Sequence, residues 1–226
     1  MSFKMWLISD THSKHNYLQY PKEDVDLVIH AGDAGSHRDL LMNEAEIRDF
    51  MQWFDNLPYK HKVYVPGNHD TSIEAKFFHD FEKKYKSVRV LIHESTEIEG
   101  YKIFGSPYTP SFGTGWAYNI ARHKIHDKWK DIPQDTDIII THGPPKGILD
   151  LTESGEGYIK QVGCKALLNR IEDINPILSV FGHIHDEPNC KNAGIVKYPN
   201  SKTTFVNACV LNLKYNVCNN GQIIEI

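Results

Sequence analysis

The apolar stretches of this chain are all short. None approaches the roughly 20 residues that cross a bilayer. The opening residues, MSFKMWLISD, also lack the basic segment followed by an apolar one that marks a secretory leader. Cysteine is scarce, with four residues at positions 164, 190, 209 and 218. No two have the C-x-x-C spacing of a zinc or redox site, and four thiols in 226 residues read as reduced rather than as a disulfide framework. There is no block of lysine and arginine either. The 25 basic residues are outnumbered by 29 acidic ones, for a net charge of −4, so the basic face that a long nucleic acid wants is missing. These absences lead to the expectation of a soluble, cytoplasmic protein with neither a membrane nor a long nucleic acid as partner.

What is present suits an ordinary globular protein. Hydrophobic residues make up 40% and charged residues 24%, enough to bury a core. The length, with no linker, repeat or low-complexity segment, favours a single domain over residues 1–226. Short β-branched runs recur, among them MWLISD (5–10), DLVIHAGD (26–33), KVYVPGNHD (62–70) and VRVLIHES (88–95). YKIFGSP (101–107), DIIITHGPP (137–145), ILSVFGHIH (177–185), TTFVNACVL (203–211) and GQIIEI (221–226) follow. Their length and composition predict strands, mostly buried on both faces.

Helical periodicity lies between them. Ile47, Phe50, Met51 and Phe54 keep i, i+3, i+4, i+7 spacing before Pro58. Phe77, Phe78, Phe81 and Tyr85 form a second stripe, and Cys164, Leu167, Leu168 and Ile171 a third before Pro176. Strands alternating with helices predict an α/β layered fold. Near the C-terminus strands follow one another directly, and Asn219-Asn220-Gly221 is expected to close a hairpin.

Five of the runs end in residues able to bind metal: Asp10 and His12, then Asp33, then Asn68 and His69, then His142, then His183 and His185. One such residue is unremarkable on its own; five strand ends at once are a pattern. In layered α/β folds the carboxyl ends of strands are where sites assemble. The D-x-H and H-x-H pairs, spaced i, i+2, would share one face of an extended strand, with Cα atoms roughly 6–7 Å apart. Two such residues can share one ion or serve two neighbouring ions. Imidazole, carboxylate and amide oxygen without thiolate suit Mn²⁺, Fe, Zn²⁺ or Ni²⁺ better than Ca²⁺. The other eight of the 13 histidines read as structural or surface residues.

The ordered set DTH, GD, GNHD, THGPP and GHIH, spanning Asp10 to His185, resembles the five motifs of the calcineurin-like metallophosphoesterase superfamily. DNLPYKHKVYVPGNHD, GSPYTPSFGTGWAYNIAR, THGPPKGILD and VGCKALLNRI are further similar to segments of its metallophosphoesterase-domain-containing (MPPED) subgroup. Some members of that subgroup lack the first His of the last motif, which this chain keeps as His183.

The resemblance implies two packed β-sheets flanked by helices, the four-layer metallophosphoesterase fold. It implies two divalent metal ions, Mn²⁺ first, with Fe, Zn, Ni or Mg as alternatives. Asp10, His12 and His185 would hold one ion, Asn68, His142 and His183 the other, and Asp33 would bridge them. His69 would stand over the phosphate as a catalytic residue without binding metal, and Gly67 would let the backbone bend sharply beside it. The implied activity is hydrolysis of a phosphodiester, a cyclic nucleotide or another small nucleotide diester, by a water-derived nucleophile held between the ions. A phosphomonoesterase or protein phosphatase, or a binding scaffold without catalysis, are the alternatives. One position departs from the family pattern. Many members carry an acidic residue three positions after the bridging Asp, able to orient the catalytic His, and here that position is Ser36. His69 then needs another partner, for which Asp70 is a candidate.

The stretch PSFGTGWAYNIARHK (110–124) combines three aromatics, two glycines and an arginine. Either its aromatics pack on the core, or it forms a lid in which Trp116 or Tyr118 stacks on a base and Arg122 pairs with phosphate.

Overall fold

Alternation within single strands sets the layering. In the strand Lys4–Ile8, Met5 and Leu7 face one side while Trp6 and Ile8 face the other, and all four are buried. The computed structural model describes residues 2–75 and 81–226. In it, Lys4–Ile8, Leu27–His30, His61–Tyr64 and Val88–Val90 run parallel in one sheet, and Gln222–Glu225 pairs antiparallel along the outer edge of Lys4–Ile8. A second sheet has the order Gly194–Lys197, Thr204–Asn207, Leu178–Phe181, Ile138–Thr141, Tyr101–Ser106, Glu94–Ile98. Its four inner strands are parallel and its two edge strands antiparallel.

The sheets pack face to face. Met5, Leu7, Leu27, Ile29 and Val63 from the first meet Ile103, Ile138, Ile140, Leu178, Val180 and Val206 from the second. The outer face of the first sheet is covered by the helix Leu40–Asp55, which buries Ile47, Phe50, Met51 and Phe54 completely against Trp6, Ile8, Val28 and Tyr64. Each such side chain is worth roughly 1.5–3 kcal/mol. Asp39 starts this helix, its carboxylate accepting the N–H groups of Leu41 and Met42 at 3.1 and 3.0 Å. On the far side the helix Lys165–Ile174 packs Leu167, Ile171 and Ile174 on Phe104, Ile139, Phe181 and Phe205. It stops at Asn175, which takes a left-handed φ of 53° one residue before Pro176. The result is the four-layer α/β architecture the motifs imply.

Three local expectations change. The run 88–95 is not one strand: Val88–Val90 belongs to the first sheet and Glu94–Ile98 to the second, with His93 at φ 62° in the crossover. Asn219-Asn220-Gly221 does not close a hairpin, because the strand it leads into pairs with Lys4–Ile8 rather than with the strand preceding it. In the second helical stripe Phe77 and Phe78 lie outside the described residues, while Tyr85 is buried. No helix among the described residues is long and apolar enough to cross a membrane.

Candidate metal centre

Parallel strands bring their carboxyl ends to one edge, so the chain segments leaving both sheets converge there. Asp10 and His12 follow Ile8, Asp33 follows His30, and Asn68 and His69 follow Tyr64. From the second sheet, His142 follows Thr141, and His183 and His185 follow Phe181. The ligand atoms of Asp10, His12 and His185 lie within 4.8 Å of one another, as do those of Asp33, His142 and His183. Asn68 Oδ1 stands 2.9 Å from His142 Nε2, which places the amide with the second group. Asp33 sits between the groups, its Oδ2 3.8 Å from His12 Nε2 and 3.3 Å from His142 Nε2.

The i, i+2 pairs do not share a strand face as their spacing suggested. Asp10, His12, Asp33 and His183 have φ of 55°, 40°, 57° and 68°, so these residues leave the strands through left-handed backbone. Non-glycine residues avoid that region because Cβ crowds the carbonyl, and its use by four neighbouring polar residues marks a site where structure overrides local preference. His183 and His185 accordingly fall into different groups.

The imidazoles are oriented by main chain. Nδ1–H of His12 donates to Gly35 O at 3.0 Å, that of His142 to Ala31 O at 2.9 Å, and that of His185 to Asn212 O at 3.1 Å. A carbonyl can only accept, so each ring carries its proton on Nδ1 and turns Nε2 toward the carboxylates. Asp10 is held by Ser9 Oγ at 2.6 Å and by the His183 N–H, and its Oδ1 is 3.4 Å from His185 Nε2. Four imidazoles, three of them turned Nε2-inward, with two buried carboxylates and an amide oxygen, are a donor set that fits two divalent ions of the Mn, Fe, Zn or Ni type.

Electrostatics follow from packing these groups close together in a largely buried site. Burial opposes charge on His142, but Asp33 outweighs it and pushes the ring up to about 9; the Asp33 carboxyl is correspondingly held well below its usual value. Burial likewise disfavours charge at His185, yet its hydrogen bond to Asp10 raises it, and Asp10 is lowered in return. His12 and His183 are driven down to about 4 and about 3, chiefly by burial.

Close approach explains two glycines. A Cβ on Gly67 would stand 2.3 Å from Asp33 Oδ1 and 2.7 Å from His142 Cε1, and one on Gly182 would stand 2.1 Å from Asp10 Oδ2. Gly67 is not among the positive-φ glycines, so the requirement there is room, not a sharp bend.

His69 lies beside these groups, its ring nitrogen within 4.8 Å of ligand atoms of His12 and Asp33. Its N–H donates to Asp33 Oδ1 at 2.7 Å, and its Nδ1 is 3.1 Å from the carbonyl of Ser36. The partner sought in place of an acidic residue 36 is thus Ser36's own main chain. Asp70 points away from His69. It accepts the N–H groups of Asp33, Gly35 and Gly67 at 3.0, 2.9 and 2.6 Å, and burial beside Asp33 pushes its carboxyl up to about 6.

A cleft of about 590 Å³ opens over the centre. One wall is aromatic. Trp116 lies 4.5 Å from the His69 ring and 5.8 Å from Phe112, with the Arg38 guanidinium 4.1 Å from its ring centroid. Phe112 is 48% exposed and reaches His183 at 5.0 Å. Tyr118, expected as a stacking residue, is instead buried against Tyr108 and does not line the cleft; its backbone N–H binds Glu74. Arg122 does line it, but its Nη1 and Nη2 donate to the carbonyls of Gly163 and Val162 at 3.3 and 2.9 Å. That commits the fork to the segment that leaves the ribbon of Leu151–Glu153 and Ile159–Gln161. Sequence reading missed Tyr215, whose ring meets His12 at 4.8 Å and His185 at 5.4 Å. It follows no motif and arrives from a distant loop, so no local signal marks it. Phe112 lay within the aromatic stretch already noticed.

This geometry has company among known proteins. A family model described as calcineurin-like phosphoesterase matches residues 3–187. The chain is 33% identical to metallophosphoesterase domain-containing protein 1 from Homo sapiens, over 97% of its own length and 69% of that protein's. It is 32% identical to UPF0046 protein K07C11.7 from Caenorhabditis elegans, over 98% and 72% of the two chains. Among solved structures, TT1561 of Thermus thermophilus superposes with a TM-score of 0.61 at 14% identity, covering 92% of this chain and 90% of that one, a likeness of fold alone. With the family model spanning His69 and all seven candidate ligands, and a third of the sequence shared along most of its length, this chain belongs to the calcineurin-like phosphoesterase family and is a metal-dependent phosphoesterase.

Proposed function

We propose that the chain is a single-domain phosphodiesterase acting on cyclic nucleotides or other small nucleotide diesters. Asp10, His12 and His185 would hold one ion and Asn68, His142 and His183 the other, with Asp33, which faces both groups, serving both. The observation that carries this reading is the convergence of these seven side chains from both sheets, with three imidazoles already locked Nε2-inward. When bound, two ions, Mn²⁺ first, supply Lewis acidity that activates water and neutralises phosphoryl charge. His69 stands at the cleft side of the pair and stabilises the transition state or protonates the leaving oxygen.

Charge favours a diester. Two divalent ions beside the two carboxylates, Asp10 and Asp33, would leave an excess of about two positive charges. That matches one diester charge plus the charge of one incoming nucleophile, whereas a monoester dianion overfills it. The cleft, about 590 Å³, is sized for a nucleotide, and Phe112 offers a face for its base. A cytoplasmic setting is supported by four free thiols.

The test is a thoroughly metal-stripped sample, then the same sample reloaded with Mn²⁺, assayed on a panel of aryl and nucleotide mono- and diesters. Turnover lost on stripping, restored by metal and greatest on diesters is expected. Unchanged activity in the stripped sample overturns the two-metal reading, and preference for monoesters overturns the diester.

A further inference from the structure

The loop Gly35–His37 has all its backbone polar groups paired. Gly35 N–H donates to Asp70 at 2.9 Å, and Gly35 O accepts from His12 at 3.0 Å. Ser36 N–H and His37 N–H both donate to Glu46 Oε2, at 2.8 and 2.9 Å, and His37 O accepts from the Asn43 amide at 2.9 Å. The remaining group, Ser36 O, faces His69 Nδ1 at 3.1 Å. Gly35 is buried, Ser36 half-buried and His37 exposed, so it is the six pairings together, more than burial, that hold the loop in this conformation. Glu46 and Asn43 come from the helix Leu40–Asp55, whose apolar stripe fixes it to the first sheet. Asn43 is fully buried and also donates to His69 O at 2.7 Å, while its own oxygen accepts from Ser72 N–H and Oγ.

The Ser36 carbonyl and the His37 N–H belong to one peptide unit. A carboxylate therefore meets the N–H end of that unit while the His69 imidazole meets its carbonyl end. Hydrogen bonding at the N–H end polarises the amide and strengthens the oxygen as an acceptor. A side chain at position 36 is not needed for this.

We propose that Glu46 is the positioning residue of His69, acting through the Ser36–His37 peptide. The chain runs from the Glu46 carboxylate to His37 N–H, through the peptide to Ser36 O, and on to Nδ1–H of His69. It keeps one His69 proton on Nδ1 and so leaves Nε2 as the nitrogen that meets substrate, a donor only when it carries the ring's second proton. No bond is made or broken along it. The consequence for catalysis rests on the phosphoesterase role of His69 proposed above; the consequence for the tautomer does not.

The experiment is a double-mutant cycle on the metal-loaded protein with the best diester from the panel. Glu46→Ala should lower kcat about tenfold, a fraction of the roughly 10²–10⁴ that a positioned proton donor supplies. KM should be unchanged, and so should the metal bound at saturating Mn²⁺, even though the Gly35–Ser36 peptide that holds His12 loses the same carboxylate. In a His69→Ala background the same change should have no further effect. Glu46→Gln, which keeps an oxygen but loses the charge, should fall between parent and Glu46→Ala, and it covers the case in which Glu46→Ala folds poorly. Nitrogen-15 spectra of the imidazoles should show a single Nδ1–H tautomer for His69 in the parent and a mixture in Glu46→Ala. Equal losses in both backgrounds, loss of metal, or an unchanged tautomer overturns the proposal. If the parent turns over no phosphoester, the functional reading fails, and the tautomer spectra still decide the role of Glu46.

Discussion

Gly67→Ala perturbs the centre at Asp33, the residue that faces both ligand groups. The backbone conformation at Gly67 is open to any residue, so the cost is steric. The new methyl would stand 2.3 Å from Asp33 Oδ1, 2.4 Å from Asp33 N and 2.7 Å from His142 Cε1. Carbon contacts are comfortable near 3.5–4.0 Å, so something must retreat by about an ångström. The neighbour under most pressure is the carboxylate facing both His12 and His142. Overpacking of this kind costs about 1–3 kcal/mol. Part of it falls on the fold, because Asp33 N cannot move far, at roughly 2–4 °C of melting temperature per kcal/mol. The rest is relieved in the metal-free protein by displacing the Asp33 carboxylate and returns when metal demands it back. If most of the cost takes that route, both equivalents of metal weaken by about 5- to 140-fold, at 1.4 kcal/mol per factor of ten. Competition with a chromophoric chelator measures this, with melting of the stripped protein as the companion reading. A variant that melts lower yet binds both equivalents within twofold of the parent would refute the shared role of Asp33.

Two further outcomes follow from the electrostatics and the cleft. His142 is raised to about 9, so the stability it gives the metal-free protein is fully present below the unfolded value of 6.5 and is lost as pH rises through about 9. Metal must displace that proton, so apparent affinity should climb between pH 7 and 9, and calorimetric heats should depend on the buffer's ionisation enthalpy; buffer-independent heats would contradict it. Phe112→Ala should raise KM for a cyclic nucleotide by an amount equivalent to about 1–3 kcal/mol of lost stacking, leaving a small aryl diester untouched. Trp116→Ala, which removes the ring packed on His69, should instead lower kcat on both substrates, and equal behaviour of the two variants would void this division of labour.

The layering was legible because strands buried on both faces must be continuously apolar, and helices covering them must carry a stripe. Ile138–Thr141 and Leu178–Phe181 show the first, Ile47 to Phe54 the second. Crossovers were less so. The run 88–95 reads as one strand, since a pattern of apolar residues cannot show that the chain changes sheets at His93. Tyr118 and Trp116 stand two residues apart in one aromatic stretch. Composition could not tell which is buried against Tyr108 and which packs on His69. Glu46 was invisible for a related reason: periodicity marks the apolar face of a helix and treats every acid on its other faces as solvated.

What oriented the histidines was hidden for a deeper reason. His12, His142, His185 and His69 each place Nδ1 on a main-chain carbonyl, of Gly35, Ala31, Asn212 and Ser36 respectively. Any residue type supplies a carbonyl, so such partners leave no trace in the sequence. They also do not titrate. An imidazole held by a carboxylate loses its orienting charge when the carboxylate protonates, whereas one held by a peptide keeps its tautomer wherever the loop keeps its shape. Shape here depends on left-handed backbone at Asp10, His12, Asp33 and His183, each an unfavourable conformation. It is maintained by Asp70 gripping three N–H groups and by Glu46 gripping two. Glu46 therefore acts one peptide removed from the histidine it positions, which is why position 36 can be a serine without leaving His69 unheld.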